Sequence, residues 1–460
     1  MQKMFQKNPK VIAAGFIATL GGALLLGTPM LEAKENAAKS QESKLEAYIK
    51  FTKILNLIES QYVDEVNTSD LINKALKGLM QNLDAHSAFM EAKDFKDLNI
   101  QTKGEFGGLG IVVGMRNGAL TVIAPIDDTP AQRAGVKAGD IILKIDDKAT
   151  LGMSIDEAVS LMRGKPKTPI TLTLVRKGET KPIKVKIIRD IIKIQSVKPK
   201  ILYLDKQKKE EILYLQITSF DAKVVKEVRK ALQKHPRAKG LIIDLRNNPG
   251  GLLDQAVGLL DLFIDKGTLV SQKGRNKEEN QIFKAHKKGT NTRIPIVVLV
   301  NGGSASASEI VSGALQDDRR AVIIGEKTFG KGSVQVVVPV GKEEGVKLTV
   351  ARYYLPSGRT IQNKGVTPDI IVHPGKVTLE DNDTLMIKEK DLKKHLEAEL
   401  QKLEKKKGEN NATASGDKNA DAKGKQAKGI LTEKTINDDL QLKTAIDVLK
   451  ALILTSERKR

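Results

Sequence analysis

The chain has 460 residues, enough for two or three domains, and 40% of them are apolar, so sizeable cores can form. It contains no Cys, which excludes a disulfide framework, a thiol nucleophile and a thiolate metal site. The formal net charge is +21, but aromatics make up only 3% and the Lys residues are scattered with no stacking platform or helix-turn-helix pattern. The charge therefore reads as a solvated basic surface, or one resting near an anionic membrane, and nucleic acid is not an expected partner.

Lys3, Lys7 and Lys10 precede Val11–Leu31, which is almost wholly apolar and long enough to span a bilayer. Residues 1–33 are thus expected to be an export signal cleaved after Leu31–Glu32–Ala33, or a retained membrane anchor. Residues 34–43 are polar and read as a flexible leader, the start of an N-terminal helical region over 34–103. There Leu45, Ile49, Ile54, Leu57 and Ile58 recur at helical spacing, as do Leu71, Ala75, Leu76 and Leu79. Asn67–Thr68–Ser69–Asp70 offers an N-cap to the second group.

Residues 104–190 read as a separate small domain. Gly107–Gly108–Leu109–Gly110–Ile111 opens a strand, Leu120–Ala124 is another, and Thr129–Pro130–Ala131 starts a short helix that Gly135 stops. A strand follows Gly139–Asp140, a helix runs from Ile155 to Met162 with Ser154 as cap, and two strands close the unit around Lys177–Gly178. The largest body covers 191–375. Apolar strand-like runs at 212–217, 240–245, 294–300, 321–325, 334–340 and 347–353 alternate with helical runs at 222–234, 252–263 and 307–316, which predicts a mixed α/β core. Beyond it lie a helical stretch (376–403) and a Lys-rich linker (404–429) with almost no apolar residue larger than Ala. The last segment, 430–460, is periodic through Ile436, Leu440, Ala445, Leu449 and Leu452.

None of His86, His235, His286, His373 and His395 falls in a metal-binding pattern, so no metal is expected, and each reads as a lone surface histidine. No Gly-x-Ser-x-Gly elbow surrounds Ser304 or Ser306. Gly325–Ser333 comes within one residue of a phosphate-binding P-loop, but Gly332 stands where the magnesium-binding hydroxyl belongs, and the following Val-rich run favours strand over the required helix. What remains is Asn301–Gly302–Gly303–Ser304–Ala305–Ser306–Ala307–Ser308–Glu309, a Ser-rich turn before an apolar helix. Backbone N–H groups at a helix start can hold an oxyanion, although N-capping by one serine is the simpler use. A serine needs a base. Lys331, between Gly330 and Gly332 at the start of an apolar strand, is the natural one, with Gln335 able to hydrogen-bond its amine if the chain turns there.

These motifs, together with Leu83–Asp84–Ala85–His86–Ser87, Ala131–Gln132–Arg133–Ala134–Gly135–Val136, Asp244–Leu245–Arg246–Asn247–Asn248–Pro249–Gly250–Gly251, Ala351–Arg359 and Gly365–Asp369, resemble in order those of the C-terminal processing peptidases, or tail-specific proteases. The likeness runs over roughly residues 40–375; Ala85 departs from the family's usual Pro. It implies a multidomain α/β and α+β protein: a mixed α/β protease core with an inserted PDZ domain at 104–190 and flanking helical segments. It implies a serine endopeptidase with Ser306 as nucleophile, Lys331 as base, Gln335 orienting the lysine, and an oxyanion hole from Ala307 and either Gly250 or Gly251. Gly108, Leu109, Gly110 and Ile111 would bind the carboxylate of a substrate tail, and Arg163 would couple the PDZ domain to the core. No cofactor is implied. The partners expected are exported, unfolded or partly disordered polypeptides with free C-termini, and a second copy through the terminal helices, 430–454 included, in a dimer or small ring; those helices could instead fold back on the core. The alternatives are a non-catalytic PDZ scaffold of the same fold and a nucleotide hydrolase using 325–333.

Overall fold

The computed structural model describes residues 28–126, 128–204, 210–287, 289–341, 343–378 and 429–458. The apolar export stretch before Thr28, most of the expected helical stretch 376–403, His395 and the Lys-rich linker up to residue 428 lie outside the described residues.

The chain divides into two units at Ala85/His86. In the first, helix α1 (Thr28–Gln61) and helix α2 (Thr68–Leu83) follow one another. The flexible leader expected at 34–43 is instead part of α1. Its Ala, Glu, Lys and Gln are strong helix formers, and no Gly or Pro interrupts them. Asn67 caps α2 as its sequence suggested, its side-chain oxygen accepting from Ser69 N (2.8 Å) and Asp70 N (3.2 Å). No helix among the described residues is long and apolar enough to cross a membrane.

The second unit begins with strand β1 (Ala88–Met90) and helix α3 (Ala92–Lys103), which Gly104 ends in the left-handed conformation (φ +67°). The small domain follows as β2 (Glu105–Gly108), β3 (Ile111–Arg116), β4 (Ala119–Pro125), α4 (Pro130–Arg133), β5 (Ile141–Ile145), β6 (Lys148–Ala149), α5 (Ile155–Met162), β7 (Pro169–Val175), β8 (Ile183–Ile188) and β9 (Asp190–Lys193). Its antiparallel sheet has the order β3-β4-β5-β7-β8 with β6 on β5, and β2 pairs with β9 where the chain enters and leaves. Alternate residues of β7 (Ile170, Leu172, Leu174) point inward with Val122, Ile142 and Ile187, and Ala158 and Met162 of α5 cover them. Ser154 and Glu157 close a reciprocal capping box at the start of α5.

The core supplies β10 (Val197–Tyr203), β11 (Glu211–Ile217), α6 (Val224–Lys234), β12 (Ala238–Asp244), α7 (Leu253–Asp261), β13 (Thr268–Gly274), β14 (Gln281–Lys284), β15 (Ile296–Val300), α8 (Ala307–Asp317), β16 (Val322–Gly325), β17 (Ser333–Val340), β18 (Glu344–Tyr354), β19 (Ile370–Ile371), α9 (Glu433–Asn437) and α10 (Leu440–Arg458). Its main sheet runs β10-β11-β12-β15-β16-β19, parallel from β11 onward. Such a sheet needs both faces covered, which explains why β15 is apolar throughout. One set of residues, Leu213, Leu215, Leu241, Ile243, Ile296 and Val298, faces α6, α7 and α8. The alternate set, Ile212, Tyr214, Ile242, Val297, Leu299 and Ile324, is covered by Leu442, Ala445, Ile446, Leu449 and Ile453 of α10. The expectation that 430–454 pairs across subunits therefore gives way to packing within the chain. Each large apolar side chain that α10 buries contributes roughly 1.5–3 kcal/mol. A second sheet, β1-β18-β13-β14 with β17 on the other edge of β18, stands beside the main one.

β12, β15 and β16 are neighbouring parallel strands, so the loops leaving their C-terminal ends meet at one edge of the sheet. Those loops carry residues 245–252, 301–306 and 326–332, and crevices outside the carboxyl ends of parallel strands are where α/β sheets bind ligands.

Candidate active site

Of the serines in the turn after β15, two are committed to structure. Ser304 Oγ donates to Leu245 O (2.8 Å) and accepts from Asn301 N (3.0 Å); Ser308 Oγ donates to Asn248 O (3.0 Å), and both residues are fully buried. Ser306 sits between them at the start of α8 with φ +54° and ψ −110°, a positive-φ conformation that costs a non-glycine residue about 1–3 kcal/mol and persists only where surroundings impose it.

Glu309, fully buried one turn into α8, supplies that constraint. Oε2 accepts from Ser306 N (2.8 Å) and Lys331 N (2.8 Å), while Oε1 accepts from Gly330 N (2.7 Å) and Thr328 Oγ1 (2.6 Å). Thr328 Oγ1 in turn accepts from Val366 N (2.7 Å), and Phe329 N donates to Ser304 O (3.0 Å). One carboxylate thus stitches the serine turn to the lysine loop. The same bonds remove the P-loop reading: two amides that would cradle a phosphate already hold Glu309, and β17 follows where a helix would be needed.

The loop after β12 closes against the same turn. A Cβ on Gly250 would lie 2.8 Å from Ser306 Cβ and 3.0 Å from Ala307 N, so only glycine allows this approach. Gly250 N donates to Asn248 Oδ1 (2.9 Å), whereas Gly251 N forms no hydrogen bond among the described residues. Ala307 is the first residue of α8, so its N–H has no intrahelical acceptor. Asn247, also at positive φ (+56°), and Asn301 bond to each other across the two loops, and Asn248 Nδ2 donates to Ile217 O (2.8 Å).

Gln335 lies on β17 just past a bulge at Val334/Gln335. Its Nε2 donates to Ser333 Oγ (2.8 Å) and Thr349 Oγ1 (3.4 Å). Thr349 N donates to Ser87 Oγ (3.1 Å), which ties Ser87 to β18 near this point.

In the small domain, Leu109 and Gly110 (φ +78°) form the turn between β2 and β3. Their carbonyls accept from Ala131 N (2.9 Å) and Ile126 N (2.8 Å), so they point back into the domain and away from the groove side. A groove of about 270 Å³ opens between β3 and α5, lined by Leu109, Ile111, Val113, Ile155, Val159 and Met162. Arg163, at the end of α5, pairs with Asp97 of α3 and stacks over Phe106 at 5.2 Å. Its contact is with α3, which packs on the core through Phe95 against Gly345 of β18.

His235 pairs with Glu211 and His286 with Asp261, both away from this edge of the sheet, while His373 pairs with Glu326 at the root of the lysine loop. No group of side chains among the described residues is arranged to hold a metal ion. Glu309, Thr328 and Asn248 were not singled out from the sequence. Glu309 carried a signal, since Ser-x-x-Glu before an apolar run is a capping box; the partners of Thr328 and Asn248 lie 19 and 31 positions away.

Residues 211–372 match Peptidase family S41, residues 121–176 match the PDZ domain, and residues 19–94 match the activating protease CtpB N-terminal domain. A carboxy-terminal-processing protease of Bartonella bacilliformis is 45% identical over 359 residues, covering 77% of this chain and 81% of its own. The carboxy-terminal processing protease CtpA of Bacillus subtilis is 37% identical over 339 residues, covering 73% of this chain and 70% of its own. Among solved structures, a photosystem II D1 C-terminal processing protease is 28% identical, with a TM-score of 0.40 over 70% of this chain and 92% of its own. With an S41 core, an inserted PDZ domain and this identity over most of its length, the chain belongs to the carboxy-terminal processing proteases, serine-type peptidases of family S41.

Proposed function

We propose that the chain cleaves exported, unfolded or partly disordered polypeptides by a Ser306–Lys331 pair after its PDZ domain has captured their free C-terminus. The observation that carries this reading is the Glu309 stitch, which fixes the backbones of Ser306 and Lys331 through one oxygen. Neutral Lys331 Nζ takes the proton from Ser306 Oγ as Oγ attacks the scissile carbonyl carbon. The developing oxyanion accepts from Ala307 N–H and from Gly251 N–H, the latter favoured because Gly250 N–H is already bound. As the tetrahedral intermediate collapses, the C–N bond breaks and the Lys331 ammonium returns the proton to the leaving amine. Water, deprotonated by the same amine, then attacks the acyl-enzyme, and Ser306 Oγ recovers the proton.

The substrate tail adds to the edge of β3 in the groove under α5, its carboxylate meeting the N–H groups of the Gly108–Ile111 turn. The apolar stretch Val11–Leu31 directs the chain outside the cytoplasm, to the periplasm or the outer face of the cytoplasmic membrane, as a signal or an anchor. Helices α1 and α2, whose Tyr48, Phe51, Leu57 and Leu79 are exposed, join a second copy.

The test is cleavage of a disordered peptide by Ser306→Ala and Lys331→Ala. Both lose activity while keeping the wild-type melting temperature, and Lys331→Arg is equally inactive because a guanidinium does not give up its proton. Turnover by purified Ser306→Ala near the wild-type rate refutes the reading.

A further inference from the structure

The loop that flanks Ser306 is anchored at its root by residues from the far end of the chain. Asp244, the last residue of β12, is fully buried. Its carboxylate accepts from Tyr214 Oη (2.7 Å), Arg246 N (2.9 Å), Arg246 Nε (3.0 Å) and Arg246 Nη2 (2.6 Å). The guanidinium therefore folds back on its own strand end. Its outer edge is gripped from the other side: Nη1 donates to Asp439 Oδ1 (3.0 Å) and Gln441 Oε1 (3.0 Å), and Nη2 to Asp439 Oδ2 (2.8 Å). This two-bond fork is the strongest geometry available to an arginine and a carboxylate.

Asp439 is itself fixed. Its Oδ1 accepts from Leu442 N (3.0 Å) at the head of α10, Leu440 N donates to Gly375 O (2.9 Å), and Gln441 Nε2 donates to Val372 O (2.7 Å). Burial pushes the Asp439 carboxyl up, but the Arg246 guanidinium outweighs it and holds the group below the usual carboxylate range. The Arg246 side chain is only 16% exposed, so α10 also keeps water from the cluster. Gly251 lies five positions after Arg246, and the segment between is held by bonds between neutral groups: Asn247 to Asn301, Asn248 to Ile217, and Gly250 to Asn248.

We propose that Asp439 is a positioning residue of the catalytic centre: from the C-terminal segment it locks Arg246 and so sets the 247–251 loop against Ser306. The proposal rests on the Ser306–Lys331 reading. Without Asp439, Arg246 keeps only the Asp244 carboxylate and its outer edge gains the freedom to turn to solvent, so the loop root loses one of the two carboxylates that grip it. Tail capture, which takes place in the small domain, does not pass through this cluster.

The experiment compares the full chain with Asp439→Asn and Asp439→Glu on an internally quenched disordered peptide. Steady-state constants are taken per folded molecule counted by calorimetry, and tail affinity is measured separately with a short free-carboxylate peptide. Asp439→Asn lowers kcat tenfold or more, leaves KM and tail affinity within about twofold, and Asp439→Glu recovers part of the loss. An unchanged kcat overturns the proposal, whether or not the melting temperature falls, because that is what a purely structural anchor predicts. If Asp439→Asn does not fold, Gln441→Met deletes the neutral acceptor on Arg246 together with the bond to Val372 O; a several-fold fall in kcat supports the proposal and a wild-type kcat overturns it. Ser306→Ala run in parallel separates the two readings, since activity there removes the nucleophile assignment, while an inactive Ser306→Ala beside a fully active Asp439→Asn removes only the role of Asp439.

Discussion

Glu309 gathers four donors onto one buried carboxylate, and three of them are backbone amides from two different loops. A glutamine has one acceptor oxygen where glutamate has two, so in Glu309→Gln the side-chain NH2 would face at least one backbone N–H donor in either orientation. Each buried donor left unpaired costs about 1–3 kcal/mol. Glu309→Gln is therefore expected to lower the melting temperature and to reduce kcat at least tenfold, with tail affinity unchanged; calorimetry and steady-state cleavage read the two effects. Wild-type kcat in a stable Glu309→Gln protein would mean that the serine turn holds its shape without the stitch. Ser306 shows why so much bonding collects here: its positive-φ backbone is unfavourable by itself and must be imposed.

At the scale of elements, the turn between β2 and β3 and the groove under α5 make a prediction about substrate ends. The Leu109 and Gly110 carbonyls are bonded into the domain, so the N–H groups of Gly110 and Ile111, across the same trans peptides, point the opposite way, and the groove walls are Leu109, Ile111, Val113, Val159 and Met162. A tail with a free carboxylate and a small or apolar last residue fits that lining. Amidating it removes a charge and is expected to weaken binding at least tenfold, a loss of about 1.4 kcal/mol, and to slow cleavage of a long substrate with it. The comparison is one disordered peptide with free and amidated C-termini; equal binding would eliminate tail recognition and leave the Ser306–Lys331 chemistry standing. Arg163 belongs to this scale too. It leaves α5 to meet Asp97 of α3, while Lys223 of the core pairs with Glu105 of β2, so the small domain meets its surroundings through both.

At the scale of the whole molecule, the two chain ends behave differently. α10 buries its apolar face on the main sheet, whereas no residue of α2 is buried and α1 exposes Leu45, Tyr48, Phe51 and Leu57. Apolar surface of this kind is commonly closed by a partner. The chain from residue 34 onward is expected to be a dimer or small ring at micromolar concentration, and deletion through Ala85 to give a monomer, by light scattering. A monomeric longer chain would place the N-terminal helices outside assembly.

The sequence by itself determined the elements whose cause is local. Asn67 and Ser154 announced their caps, the apolar run from Ile296 announced a fully buried strand, and the Val-rich run after Ser333 announced a strand that no P-loop could tolerate. Motif order was also legible in the sequence, enough to mark Ser306, Lys331 and the two glycines as one candidate site. The tertiary structure decided which surface each pattern meets. The periodicity of 440–453 describes an apolar stripe without naming its partner, and only the uncovered face of a parallel sheet made that partner the chain's own core. Likewise nothing local to Gly250 distinguishes it from Gly251. The difference arises because the Asn248 side chain reaches one amide and not the other.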